Sequence, residues 1–106
     1  MGGDIRTQYI YQFGPGERPE LATDLEAWTA DDERVFDSHF EYLQRAADDG
    51  ILILAGRSPD GIGPAVVIFE AESEDAARRF MEDDPFVKHG LFSANLHPFR
   101  VAISQS

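Results

Sequence analysis

Four short segments of this chain are rich in β-branched and aromatic side chains, and two segments between them carry apolar residues at helical spacing. The resulting order, strand-helix-strand-strand-helix-strand, restricts the fold more than any other feature, because short connections leave few ways to pack it. Residues 5 to 13, with Ile5, Thr7, Tyr9, Ile10, Tyr11 and Phe13, read as the first strand, and Gly14-Pro15-Gly16 is expected to break it. Residues 17 to 29 read as a long loop with a helical turn near Leu25 to Trp28, and Trp28 is expected to pack that loop down. Thr29 caps a helix whose first turn carries Asp31, Asp32 and Glu33. Val35, Phe36, Phe40, Leu43, Ala46 and Ala47 form its apolar stripe, and Gly50 ends it in a left-handed conformation.

Ile51 to Ala55 reads as a buried strand, Gly56 to Gly61 as a turn, and Pro64 to Glu70 as a third strand covered on both faces. Ser73 caps a second helix bearing Ala76, Ala77, Phe80 and Met81, which Pro85 is expected to stop. Leu96 to Ile103, with Phe99, Val101 and Ile103 alternating, reads as the last strand. The whole is the ferredoxin-like α+β arrangement βαββαβ: a four-stranded antiparallel sheet with two helices on one face. The other face also looks apolar, so a homodimer with face-to-face sheets is expected, and its interior would provide a pocket. At 106 residues the chain fits one domain, residues 1–106, and not two.

His39 and the run Asp83-Asp84-Pro85-Phe86 carry the clearest chemical signal. His39 falls four residues after Val35 and four before Leu43, so it lies on or beside the inner face of the first helix. An imidazole and a carboxylate from two helices can meet in one cleft and transfer protons. The plainer readings are a core histidine bonded to a backbone carbonyl, and an aspartate that only ends a helix before proline. Arg57 and Ser58, just after the second strand, are the expected substrate-binding residues. The planar fork of Arg57, or of Arg100, suits a carboxylate or phenolate, whereas a surface ion pair would explain either arginine equally well. Ser58 has no base at a nearby position, which argues against a serine nucleophile.

The formal charge of −11, from 20 acidic and nine basic residues, disfavours nucleic acid and anionic membranes as partners. There is no cysteine, hence no disulfide, thiolate metal site or cysteine nucleophile. His39, His89 and His97 show no metal-ligand spacing, so no metal is expected. No glycine loop fits a phosphate, because Gly61-Ile62-Gly63-Pro64 runs into a strand, and no cofactor is expected. No segment resembles a signal peptide or a membrane span, so a cytoplasmic location is the default.

Taken together, His39 with Tyr42-Leu43, Gly50 before the second strand, Ala55-Gly56 at its end, Ser73, Ala76-Ala77, Asp84-Pro85-Phe86, Gly90-Leu91 and Pro98-Phe99 resemble the YCII-related, or YciI-like, family. The resemblance runs from Tyr9 to Val101 and implies a dimeric α+β barrel with a His and Asp active-site pair, mapping onto His39 and Asp84. A dehydrochlorinase of chlorinated hydroxyquinols is similar to that family, and muconolactone isomerases share the broader fold. The chain departs from the common Gly-Pro after the second strand by carrying Gly56-Arg57, and its loop at 17 to 29 is longer than in the shortest members. The expected activity is therefore cofactor-independent acid-base chemistry on a small organic acid or ring substrate, as an isomerase or a dehydrochlorinase-like lyase. A non-catalytic ligand-binding module and a cofactor-free monooxygenase are the alternatives.

Overall fold

The computed structural model describes residues 7–104. Its strands are β1 (Thr7–Pro15), β2 (Leu52–Arg57), β3 (Ala65–Ala71) and β4 (Phe92–Phe99), and its helices are α1 (Ala30–Asp48), α2 (Glu74–Asp83) and the single turn α3 (Pro85–Lys88). The sheet is antiparallel in the order β2-β3-β1-β4, so β1 and β3 are central and both helix connections lie on one face. This is the ferredoxin-like α+β fold that the element order predicts.

Side-chain alternation sorts the two faces. Tyr9 and Tyr11 of β1 pair with Phe69 and Val67 of β3, and together with Leu43, Ala77 and Met81 they form the main core under the helices. A second cluster, Leu21, Phe86 and Leu91, fills the end of the sheet beneath the loop, with Phe13, Trp28, Val35 and Phe92 packed against it. The opposite face carries Gln8, Ile10 and Gln12 of β1, Val66 and Ile68 of β3, Leu54 of β2 and His97 of β4.

Helix α1 begins as expected. Thr29 accepts from the Asp32 N–H, and Asp32 returns the bond to the Thr29 N–H, so a full capping box closes the first turn. Gly50 takes φ +76°, the left-handed geometry that ends the helix without a Cβ clash. The loop before it is not featureless. It holds two 3-10 turns, Pro19–Ala22 and Leu25–Ala27, tied by Trp28 Nε1–H donating to the Leu21 carbonyl at 2.9 Å.

Several features differ from the sequence reading, among them Gly56 and Arg57, which pair with Val66 and Ala65 and extend β2 where a turn was expected. Gly14 and Pro15 continue β1 because β3 stops pairing at Gln12, so beyond that point only β4 needs bonds from the strand. The last strand is Phe92–Phe99, not residues 96 to 103: Phe92, Ala94 and Leu96 supply the inward alternation, and Ile103 is almost wholly exposed. Strand β2 is an edge, not a buried strand, with Ile53 and Leu54 open to solvent. Pro85 ends α2 but also opens α3, where its missing N–H and fixed φ suit the first helical position. The start of the first strand at Ile5 and the N-terminal sequence lie outside the described residues.

Candidate active site

Asp84 lies at the joint between α2 and α3 for local reasons. Proline disfavours helical geometry in the residue before it, and Asp84 is accordingly extended, at φ −59° and ψ 124°. Its N–H closes α2 on the Met81 carbonyl, and its side chain caps α3 by accepting from the Phe86 N–H at 3.0 Å. The kink turns the carboxyl inward, where it is 0% exposed.

His39 reaches the same point from α1. Its Nδ1 stands 2.7 Å from Asp84 Oδ1, and its side chain remains 12% exposed. The imidazole lies flat on Phe86, with centroids 3.9 Å apart and planes 17° from parallel, and Phe13 meets it edge-on. As a carboxylate, Asp84 accepts from Phe86 N–H and from the Tyr11 hydroxyl, the latter at 2.7 Å on Oδ2. An acceptor so placed calls for Nδ1–H as donor, which leaves Nε2 as the basic nitrogen. Burial first, and then the charge of Asp84, push the Tyr11 phenol far above its ordinary range, so it stays a donor at every working pH.

One exposed aromatic, Phe36 at 42%, lies beside His39 on α1, with ring centroids 6.4 Å apart. Two surface openings lie away from the pair. One of about 520 Å³ is lined by Thr7, Gln8, Pro98, Phe99 and Arg100, and one of about 240 Å³ lies against Ile51, Glu70 and Phe80. Neither is lined by His39 or Asp84, so the geometry of the pair marks the candidate site.

The remaining expected site residues are placed apart. Arg57 ends the edge strand β2 and is exposed. The register Gly56↔Val66↔Gln12 brings it level with Phe13 on the helix-bearing side, about 10 Å away across two strand spacings. Ser58 belongs to the turn instead, its N–H donating to the Pro64 carbonyl and its hydroxyl tight against Gly63. Arg100 lines the 520 Å³ opening. Among the described residues no group of three or more His, Cys, Asp or Glu is placed to hold a metal, and no helix is long and apolar enough to cross a membrane. The sequence pointed to Phe86 only as part of the Asp-Pro-Phe run and assigned Tyr11 no bond to Asp84. A hydroxyl at an inward strand position was the available signal, since a buried phenol needs a partner.

A family model for the YCII-related domain matches residues 20–99. The chain belongs to the YCII-related family. No curated protein matches it by sequence comparison. Among solved structures, this YCII-related protein is similar to 5-chloro-2-hydroxyhydroquinone dehydrochlorinase from Burkholderia phenoliruptrix AC1100, in complex with 2,5-dihydroxybenzoquinone. The TM-score is 0.58 over 88% of this chain and 93% of that chain, at 20% identity. At that identity the likeness establishes the fold.

Proposed function

We propose that the protein is a cofactor-independent acid-base enzyme in which His39 is the base and Asp84 its orienting partner, acting on a small enolisable or phenolic ring substrate. One observation carries this reading: a wholly buried carboxylate holds Nδ1 of an imidazole that still reaches solvent. Nε2 takes a proton from the substrate, and Asp84 stabilises the imidazolium that forms. The electron pair left behind is delocalised as an enolate or phenolate. It then picks up the proton at another carbon, which is isomerisation; where that ring carbon bears a halogen, loss of a second hydroxyl proton drives the halide out with its bonding pair, which is net elimination of HX. The similar dehydrochlorinase, with its quinone ligand, favours the second course.

Exposed Phe36 beside His39 suits a flat ring, and Arg57, level with Phe13, is a cation in register for an anionic substituent. Ser58 is retained as a substrate contact through the same turn. The uncovered sheet face supports pairing with a second copy.

His39→Ala tests the reading. Turnover of halogenated hydroxyquinols, followed as chloride release, falls at least about 100-fold, with the fold intact by circular dichroism. Full activity in the variant overturns the base assignment. The competing reading is a structural pair in a ligand-binding module, with the two openings away from His39, one at Thr7 and Arg100 and one at Ile51 and Phe80, as its binding surfaces. It predicts a wild-type protein that binds such rings without releasing chloride.

A further inference from the structure

Tyr11 has a buried ring and a buried hydroxyl, and these need separate explanations. The ring needs none beyond packing: it meets Phe13, Phe69 and Phe80 edge-on at 5.5, 5.7 and 6.2 Å and is 0% exposed. Phenylalanine would fill that place as well. The hydroxyl is different, because its hydrogen-bond partner is Asp84 Oδ2, at 2.7 Å. Three aromatic edges hold the ring, so the oxygen stands at a fixed point and its proton has a fixed direction.

The two carboxylate oxygens of Asp84 have unequal partners. Oδ1 faces His39 Nδ1 and the Phe86 N–H, and Oδ2 faces Tyr11. Without the Tyr11 donor, nothing in that arrangement distinguishes the present carboxyl rotation from one that turns Oδ2 toward the imidazole. The charge on the carboxylate would also be shared among two donors in place of three. Both changes act on His39, which Tyr11 itself does not touch.

We infer that Tyr11 is a positioning residue of this site: its hydroxyl fixes the rotation and charge of Asp84 and thereby the tautomer and basicity of His39. The inference deepens the acid-base reading above and rests on it for its catalytic meaning. Tyr11 is suited to the role because burial and Asp84 keep its proton in place through the working pH range. The other titratable groups near the pair are Tyr42 on α1, whose hydroxyl donates to the Phe80 carbonyl at 2.7 Å, and exposed Asp83. Lys88 at the end of α3 and His89 just after it are exposed.

The test is the titration and nitrogen-15 spectrum of His39 in Tyr11→Phe, with Tyr42→Phe as the control that loses a comparable hydroxyl away from Asp84. In Tyr11→Phe, Asp84 keeps more of its charge for the imidazole, so the His39 midpoint rises by about half a unit or more and its tautomer signature changes. Tyr42→Phe leaves both unchanged. Should Tyr11→Phe not fold, 3-fluorotyrosine at position 11 keeps the shape and strengthens the donor, and the midpoint then falls. A His39 spectrum and midpoint matching wild type in the foldable variant overturn the inference. The readout needs no turnover, so it stands apart from the His39→Ala assay: loss of the base reading there leaves the result here interpretable, and the reverse holds too.

Discussion

Asp84 gathers the Tyr11 hydroxyl, the Phe86 N–H and His39 Nδ1 around one carboxyl closed to water, and that concentration makes it the residue with most to lose. Asp84→Ala strands all three partners in an apolar setting, and it should cost about 2–4 kcal/mol of unfolding free energy in urea titration. A loss under half a kcal/mol would mean that the network contributes little. The position of Asp84 was legible from the letters, because Asp-Pro-Phe forces a kink wherever it follows a helix. Its burial was not. An aspartate before proline is ordinarily a solvated turn residue, and only the approach of β1 and α1 from distant parts of the chain encloses this one.

At the scale of elements, the entry to α1 is held by more than its capping box. Arg18, from the loop, makes a two-pronged ion pair with Asp32 at 3.0 and 2.5 Å, and Asp32 is itself buried. Hydrogen bonds from Arg18 first, and then from the Thr29 N–H, hold the Asp32 carboxyl down to about 2. A carboxylate depressed in the folded state adds stability that is present above its unfolded value near 4 and disappears as pH falls through the folded one. Acid unfolding should therefore steepen between about pH 4 and 2. In Arg18→Ala, the Asp32 titration followed by carbon-13 NMR should move up and unfolding should begin at a higher pH; an unchanged Asp32 midpoint would dismiss the pairing. The capping box was visible as Thr29 followed by acids, whereas Arg18 was not, since nothing in the loop's letters says which acid its guanidinium meets. The same limit explains the misplaced last strand. Residues 99 to 103 alternate as cleanly as 92 to 99, and only the match to β1 distinguishes them.

For the molecule as a whole, the helices cover one side of the sheet, and the other side shows Ile10, Val66, Ile68 and Leu54, the last 48% exposed, among Gln8, Gln12 and His97. A mixed face of this kind is suited to pairing with its own copy. If it does so, Leu54→Glu places a charge in the contact, and sedimentation equilibrium should show monomer where the wild type shows dimer. Equal masses for the two proteins would exclude this face as the contact. The mutated residue lies on the sheet side away from His39, so His39 should keep its titration in either outcome.

Much of this protein follows from local chemistry read along the chain. Thr29, Gly50, Ser73 and Pro85 punctuate the elements through backbone geometry, and period-two and helical spacings of apolar residues assign strand or helix without reference to distant partners. The order of elements then leaves the ferredoxin-like sheet as the compact solution. Tertiary structure alone decided which polar groups meet in the interior. The pairing of His39 with Asp84, 45 residues apart, was expected only through the family resemblance, and the bond from Tyr11 to Asp84, 73 apart, was not expected at all. Both depend on angstrom-scale approach between elements, and no sequence period encodes a distance of that kind.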